Sequence, residues 1–205
     1  MSTSKPTVQT DKQDAWHPRH IMGKCVPRLG GLANTRNFKP SGTTIPPMAM
    51  TPFYTRFHDL AFAETRTAVV PSHPTLPRGP WGFLEFYCDE PDCDCRRVLF
   101  QVVLDENDDT RVWASINYGW ETHSFYRRWS RDPLTARQIT GASLDPLNPQ
   151  SEHSHALLEL FQVVLLRDAE YIERIKRHYR MFKGLPNSHG SVKGSSPRKS
   201  ENGGA

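Results

Sequence analysis

The chain predicts an α+β fold, an antiparallel β-meander with a cysteine-rich hairpin knuckle, followed by several packed helices and flanked by disordered N- and C-terminal tails. Three observations carry this. Residues 81–118 read as strands separated by short turns. Residues 122–183 switch to helical spacing. Periodic apolar residues occur only between about residue 53 and residue 183.

The ends set the size of the domain. Hydrophobic residues make up 37% of the 205, against about 45–50% in ordinary globular domains when Gly is counted. Residues 1–52 are rich in Thr, Ser, Pro, Asn and Lys and carry no hydrophobic period, and residues 184–205 are rich in Gly and Ser. Neither end buries enough apolar surface to offset the entropy of ordering. One domain remains, residues 53–183, long enough for an ordinary core. Met48 and Met50 stand at its edge, so a start of translation there would account for the unpatterned residues before it.

The formal charge of +4 is unevenly spread. Residues 1–50 hold seven Lys/Arg against two Asp/Glu, and residues 184–205 hold three against one. Residues 51–183 hold sixteen against nineteen, so the domain is mildly acidic. That argues against nucleic acid as its ligand, because phosphate binding concentrates positive charge on the folded surface. A protein is the partner class left open. No run reaches the roughly 20 apolar residues of a transmembrane helix, and the N-terminus lacks the apolar core of a secretory signal. Cys25 stands alone and the other cysteines are crowded, which is no framework for secreted disulfides. The expected compartment is the cytoplasm.

Each element has a local reason. Residues 66–71 read as a short strand ended by Pro71, and Pro71, Pro74, Pro77 and Pro80 stiffen the connection to the next strand. Residues 81–88 alternate, with Trp81, Phe83, Glu85 and Tyr87 on one side and Leu84, Phe86 and Cys88 on the other. Residues 97–104 are apolar on both faces, as in a central strand. Asp105–Asp109 is a turn, and 110–118 return as a strand. Thr122 caps a short helix with Phe125, Tyr126 and Trp129 on its inner face. Asp132 caps a second helix that has Pro133 at its first position, and Gly141 ends it. Ser151 caps a buried helix over 152–166. Asp168 caps the last, whose stripe is Tyr171, Ile172, Ile175, Tyr179 and Phe182, with Lys183-Gly184 as its stop.

Chemistry concentrates at Tyr87-Cys88-Asp89-Glu90-Pro91-Asp92-Cys93-Asp94-Cys95-Arg96-Arg97. Three of the four cysteines fall within eight residues. A loop between antiparallel strands can bring three sulfurs together, and zinc favours thiolates in a four-ligand tetrahedron. Four acids around the loop welcome a cation and raise thiol pKa values, which weighs against a nucleophilic cysteine. The strand over 110–118 returns to the knuckle end of the sheet. This makes His123 the expected fourth ligand, with Glu121 as a carboxylate alternative and a plain surface histidine as the competing reading. Zinc on Cys88, Cys93, Cys95 and His123 is therefore the expected metal site, structural in a binding or adaptor module. The alternatives are an open zinc position in a metal-dependent hydrolase, a thiol redox sensor in which a Cys93–Cys95 disulfide exchanges with Cys88, and three unlinked thiols.

Other candidates have simpler readings. The tryptophans and their aromatic neighbours suit a core as well as a ligand pocket. Arg127, Arg128 and Arg131 suit a solvated helix face as well as an anion site. Asp145, Asn148 and Gln150 suit turn chemistry as well as a site. His153 and His155 suit capping or surface positions. There is no Gly-rich phosphate loop, paired-histidine helix motif or nucleophile elbow.

Gly82–Cys88, Cys95-Arg96-Arg97, Ile116–Glu121 and Leu144–Ser151 resemble a small family of uncharacterised bacterial proteins, over about residues 80–183. The resemblance implies a genuine domain and implies no activity. The Cys-x-Cys element is also similar to the SEC-C and SWIM zinc modules. Its spacing departs from both, so no ligand is carried over.

Overall fold

Strand β3 (Gly79–Cys88) is buried on both sides from Trp81 to Cys88, and every other element is placed relative to it. A strand with Trp81, Phe83 and Tyr87 on one face and Leu84, Phe86 and Cys88 on the other can only sit in the middle of a covered sheet. The computed structural model describes residues 50–106 and 109–186. Among these, six strands form one antiparallel sheet, with five helices.

β3 pairs on one edge with β4 (Arg97–Glu106), which pairs with β5 (Asp109–Gly119), which pairs with β6 (Gly141–Leu144). Its other edge is shared end to end by two short strands. β1 (Met50–Pro52) lies against Cys88–Phe86, and β2 (Arg66–Val70) lies against Phe83–Gly79. Between them the chain leaves the sheet through a 3-10 turn (Phe53–Thr55) and helix α1 (His58–Glu64). The β4–β5 ladder slips at Val102/Val103, a bulge that adds local twist.

Helices α4 (Ser154–Val163) and α5 (Ala169–Phe182) cover one face of the sheet. Phe161 of α4 lies 5.8 Å from Phe83 and 5.0 Å from Phe100, and Phe182 of α5 lies 5.6 Å from Tyr87, ring centre to ring centre. Aromatic contacts at these distances add to the hydrophobic gain of burial. Asp168 caps α5 by accepting from the Tyr171 N–H at 3.1 Å. Gly184, with φ 64°, turns the chain so that Leu185 N–H reaches the Arg180 carbonyl at 2.8 Å.

Helices α2 (His123–Ser130) and α3 (Pro133–Ile139) begin where Thr122 and Asp132 were expected to cap them, with acceptor distances of 3.3 and 2.7 Å. They pack into a smaller cluster of Tyr126, Ala136 and Ile139 against the end of β5. Gly119 permits this contact. A Cβ there would stand 2.0 Å from the Ile139 carbonyl oxygen and 2.5 Å from Tyr126 Oη.

Four expectations need correction. The folded unit begins at Met50, because β1 pairs Met50–Pro52 with β3, so residues 50–52 are not tail. At the other end Leu185 still belongs to the close of α5, its N–H bonded to the Arg180 carbonyl at 2.8 Å, so the expected tail does not begin at 184. The helix expected over 152–166 starts at Ser154 and gives way after Val163 to a 3-10 turn (Leu165–Arg167), where the chain bends towards α5. Ser151 does not cap it; its hydroxyl accepts from the His153 N–H at 3.2 Å, one turn early. β6 and α1 were not expected at all. The remaining tail residues, 1–49 and 187–205, lie outside the described residues, as do Met48 and Cys25. No helix among the described residues is long and apolar enough to cross a membrane.

Gly119→Ala should destabilise the domain by about 2–3 kcal/mol, the usual range for forced overpacking, since a backbone oxygen must move. Urea denaturation checks this, and an unchanged midpoint would show that α3 yields freely.

Candidate metal centre

β3 ends at Cys88 and β4 starts at Arg97, so residues 89–96 are the hairpin loop. The loop folds on itself through Cys93 N–H to the Glu90 carbonyl at 3.2 Å. Arg96 then adopts φ 43°, a left-handed conformation that a non-glycine residue holds only when its surroundings fix it. This turn leaves Cys95 pointing inward while β4 begins. Cys88 and Cys95 are fully buried and Cys93 is half-buried. The three sulfurs lie within 4.8 Å of one another. A tetrahedral zinc with bonds of about 2.3 Å sets its sulfurs roughly 3.8 Å apart, so the donor set fits the ion with small side-chain adjustment.

Contacts from several elements hold the loop. Thr51 of β1 donates to Asp89 at 2.8 Å. Arg96 Nε–H donates to both Asp94 carboxylate oxygens at 2.9 and 3.0 Å, and its Nη1 donates to Glu121 at 3.1 Å. Tyr126 of α2 donates to the Arg96 carbonyl at 2.7 Å. From α5, Tyr179 donates to Asp94 at 3.3 Å, and just beyond it Lys183 donates to the Glu90 carbonyl at 2.5 Å. The cysteine loop is thus where β1, the central hairpin, α2 and α5 meet.

The protonation of the cluster departs from the expectation that four acids raise all the thiols. The Cys95 thiol donates towards both other sulfurs. That hydrogen bond brings Cys88 down to about 6, with further help from Lys183, and it lowers Cys93 too. Cys95, as the donor, is raised. Two sulfurs leaning towards thiolate beside a third are a donor set suited to a soft, doubly charged cation.

Arg97 pairs with Gly119, so β5 does return to the knuckle end of the sheet. Glu121 is there, bonded to Arg96. His123 is exposed at the first position of α2, and it is not in the group of clustered ligand atoms. Asp145, Asn148 and Gln150 take up turn chemistry: Asp145 accepts from the Leu147 N–H and from Asn148, both at 2.9 Å. Gln150 extends the sheet edge, accepting from Ser115 N–H at 3.1 Å and donating to the Ser115 carbonyl at 2.8 Å. Arg127, Arg128 and Arg131 lie at the C-terminal end of α2, where positive charge complements the helix dipole.

One constellation was missed. His178 of α5 is 1% exposed and sits between two carboxylates, with Nδ1 2.7 Å from Glu85 Oε2 and Nε2 2.9 Å from Glu64 Oε2. Arg177 also pairs with Glu64, Tyr87 donates to Glu85 at 2.7 Å, and Phe53 stacks on the imidazole at 4.3 Å. A neutral imidazole has one N–H, so satisfying both contacts takes an imidazolium or a protonated carboxyl. The sequence held a signal: Glu85 falls on the buried face of β3, and His178 falls on the apolar stripe of α5 between Ile175 and Phe182. The cavity beside them is only about 10 Å³, room for one water and no substrate, so the network is a structural bolt joining α1, β3 and α5.

A larger open cleft of about 360 Å³ adjoins the knuckle, lined by Arg96, Trp120, Glu121, Lys176, Tyr179 and Arg180. It offers cations, the two carboxylates of Asp94 and Glu121, and aromatic faces but no nucleophile–base pair. Comparison of the chain with family models, with curated proteins and with solved structures finds no match.

His178→Ala should cost about 3–5 kcal/mol, because it empties the space of a buried ring stacked on Phe53 and leaves Glu85 and Glu64 each one hydrogen bond short. Thermal denaturation checks this, and a loss below about 1 kcal/mol would show that the network contributes little.

Proposed function

We propose that the hairpin binds zinc as a structural ion through Cys88, Cys93 and Cys95, and that the domain is a binding or adaptor module for a protein partner. The observation that carries this is the approach of all three sulfurs to within 4.8 Å at the junction of β1, the central hairpin, α2 and α5. An ion there would fix the loop that β1, α2 and α5 hold by hydrogen bonds, and metal binding then contributes directly to folding. Two of the three sulfurs are fully buried, which suits a closed structural site better than an open catalytic one. The adjoining cleft, with charges of both signs and the half-buried Trp120, supports recognition of a protein segment. Thiols in this number suit a reducing compartment, and the cytoplasm is the one proposed.

Protein purified without a His-tag under reducing conditions should carry one zinc per chain by elemental mass spectrometry, and Cys93→Ser should lose it. Chelation should lower the melting temperature of the wild type by roughly 10 °C or more. A well-folded protein that stays metal-free when zinc is offered would overturn the zinc reading. Zinc bound with a coordinated water, together with hydrolytic turnover, would favour the catalytic alternative.

A further inference from the structure

We propose that the helical pair α2–α3 is the docking surface for an acidic, amphipathic segment of the partner protein. Arg127, Arg128, Arg131 and Arg137 meet its carboxylates, and Leu134 meets its apolar side. This rests on reading the domain as a module for a protein partner and is independent of the zinc.

Charge in the domain is segregated. Residues 122–140 hold four arginines and one acid, Asp132, whereas the rest of residues 51–183 hold twelve Lys/Arg against eighteen Asp/Glu. All four arginines are exposed. Among the described residues none of their side chains is in an ion pair, hydrogen bond or ring contact. Basic side chains elsewhere are mostly engaged: Arg66 with Asp168, Arg96 with Asp94 and Glu121, Lys176 with Glu173, Arg177 with Glu64, and Arg111 over the Trp113 ring.

The helices concentrate this charge. Arg127 and Arg131 are four residues apart and Arg128 and Arg131 three, so the three lie close together at the solvent-facing end of α2, away from the buried Tyr126. Like charges at these spacings repel, and the helix dipole offers only about half a unit of negative charge in return. Arg131 also holds φ 58°, a left-handed conformation at the helix end where Gly is the usual residue. A bulky cation held there against repulsion and backbone strain has its use outside this chain. On α3, Leu134 is 68% exposed and stands three and four residues before the exposed Arg137 and Gln138. Arginine beside apolar surface is the composition of protein interfaces.

The size of the patch selects a protein over nucleic acid. α2 has eight residues and α3 seven, so they are about 12 and 10 Å long. That is little more than the Debye length of about 8 Å at physiological salt. Beyond it the acidic remainder of the domain takes over. A nucleic acid duplex, with a charge about every 1.7 Å, runs onto that acidic surface and is repelled. A short acidic segment ends before reaching it.

Fluorescence anisotropy with the full-length protein tests this, using three labelled probes: a helix-forming peptide of Glu, Leu and Ala, its Lys-for-Glu counterpart, and an RNA of equal charge. Residues 1–50 and 184–205 are themselves basic, so the comparison of variants is the readout. Arg127→Glu combined with Arg131→Glu should weaken binding of the Glu-rich peptide roughly tenfold or more, with the melting temperature unchanged. Leu134→Ser should weaken it severalfold and leave RNA binding as in the wild type. Unchanged peptide affinity in the double variant would overturn this surface. RNA bound more tightly than the peptide, and lost in the double variant, would overturn the protein partner in favour of a phosphate backbone. Binding of the Lys-rich peptide alone would overturn the arginine face while the module reading stands. Wild type that binds neither peptide would overturn both.

Discussion

Three thiols packed within 4.8 Å at the mouth of the central hairpin are the constraint on which this structure turns. Cys88 ends β3, and Cys95 stands two residues before β4, so the sulfurs lie where the two most buried strands begin to diverge. Uncharged thiols bond each other weakly. Eight residues of loop with four acids therefore need an external tie to stay ordered, and the loop receives hydrogen bonds from β1, from α2, from α5 and from Lys183 just past its end. A cation held by the sulfurs would join those ties at one point. The left-handed Arg96 fits this picture, since its backbone conformation aims Cys95 inward and its side chain closes over Asp94 and Glu121.

A second tie attaches to the same strand at Glu85, three residues before Cys88. The excursion between β1 and β2 carries Glu64 and Phe53 back onto α5, where His178 bridges Glu64 to Glu85 on β3. Full burial of charge is costly unless every partner is present. Here Glu85 Oε2 is held by His178 and Tyr87, and Glu64, which is partly exposed, is held by His178 and Arg177. Because β1 is only three residues long, its position depends on this network on one side and on the knuckle on the other. The two ties are therefore coupled through β1, whose Met50–Pro52 segment borders the cysteine loop at one end and leads directly into Phe53 at the other.

Much of the fold was legible because its signals are local. Thr122, Asp132 and Asp168 each cap the helix beginning at the next residue, by accepting from a backbone N–H three positions on. The alternation over 81–88 identifies a strand with two covered faces. What escaped was short or long-range. Three residues of β1 and four of β6 are too few to show a period, and each is specified by its neighbour in the sheet. The helix over 154–163 ends early because the chain must turn to start α5, which no local pattern announces. The three cysteines were evident from spacing, and the return of β5 to their end of the sheet followed from counting turns. The reach of a particular side chain did not follow: strand direction brings His123 to the right end, but helix phase leaves it facing outward. Glu85 and His178 lie within apolar patterns, and a polar residue on a buried face requires a partner elsewhere in the chain, which spacing alone does not identify.

X-ray absorption at the zinc edge of protein purified under reducing conditions tests the central claim most directly. The account predicts a full complement of zinc with sulfur neighbours at about 2.3 Å dominating its coordination. Zinc surrounded chiefly by oxygen and nitrogen, or no zinc in a folded protein supplied with it, would contradict the assignment of Cys88, Cys93 and Cys95 as a metal centre.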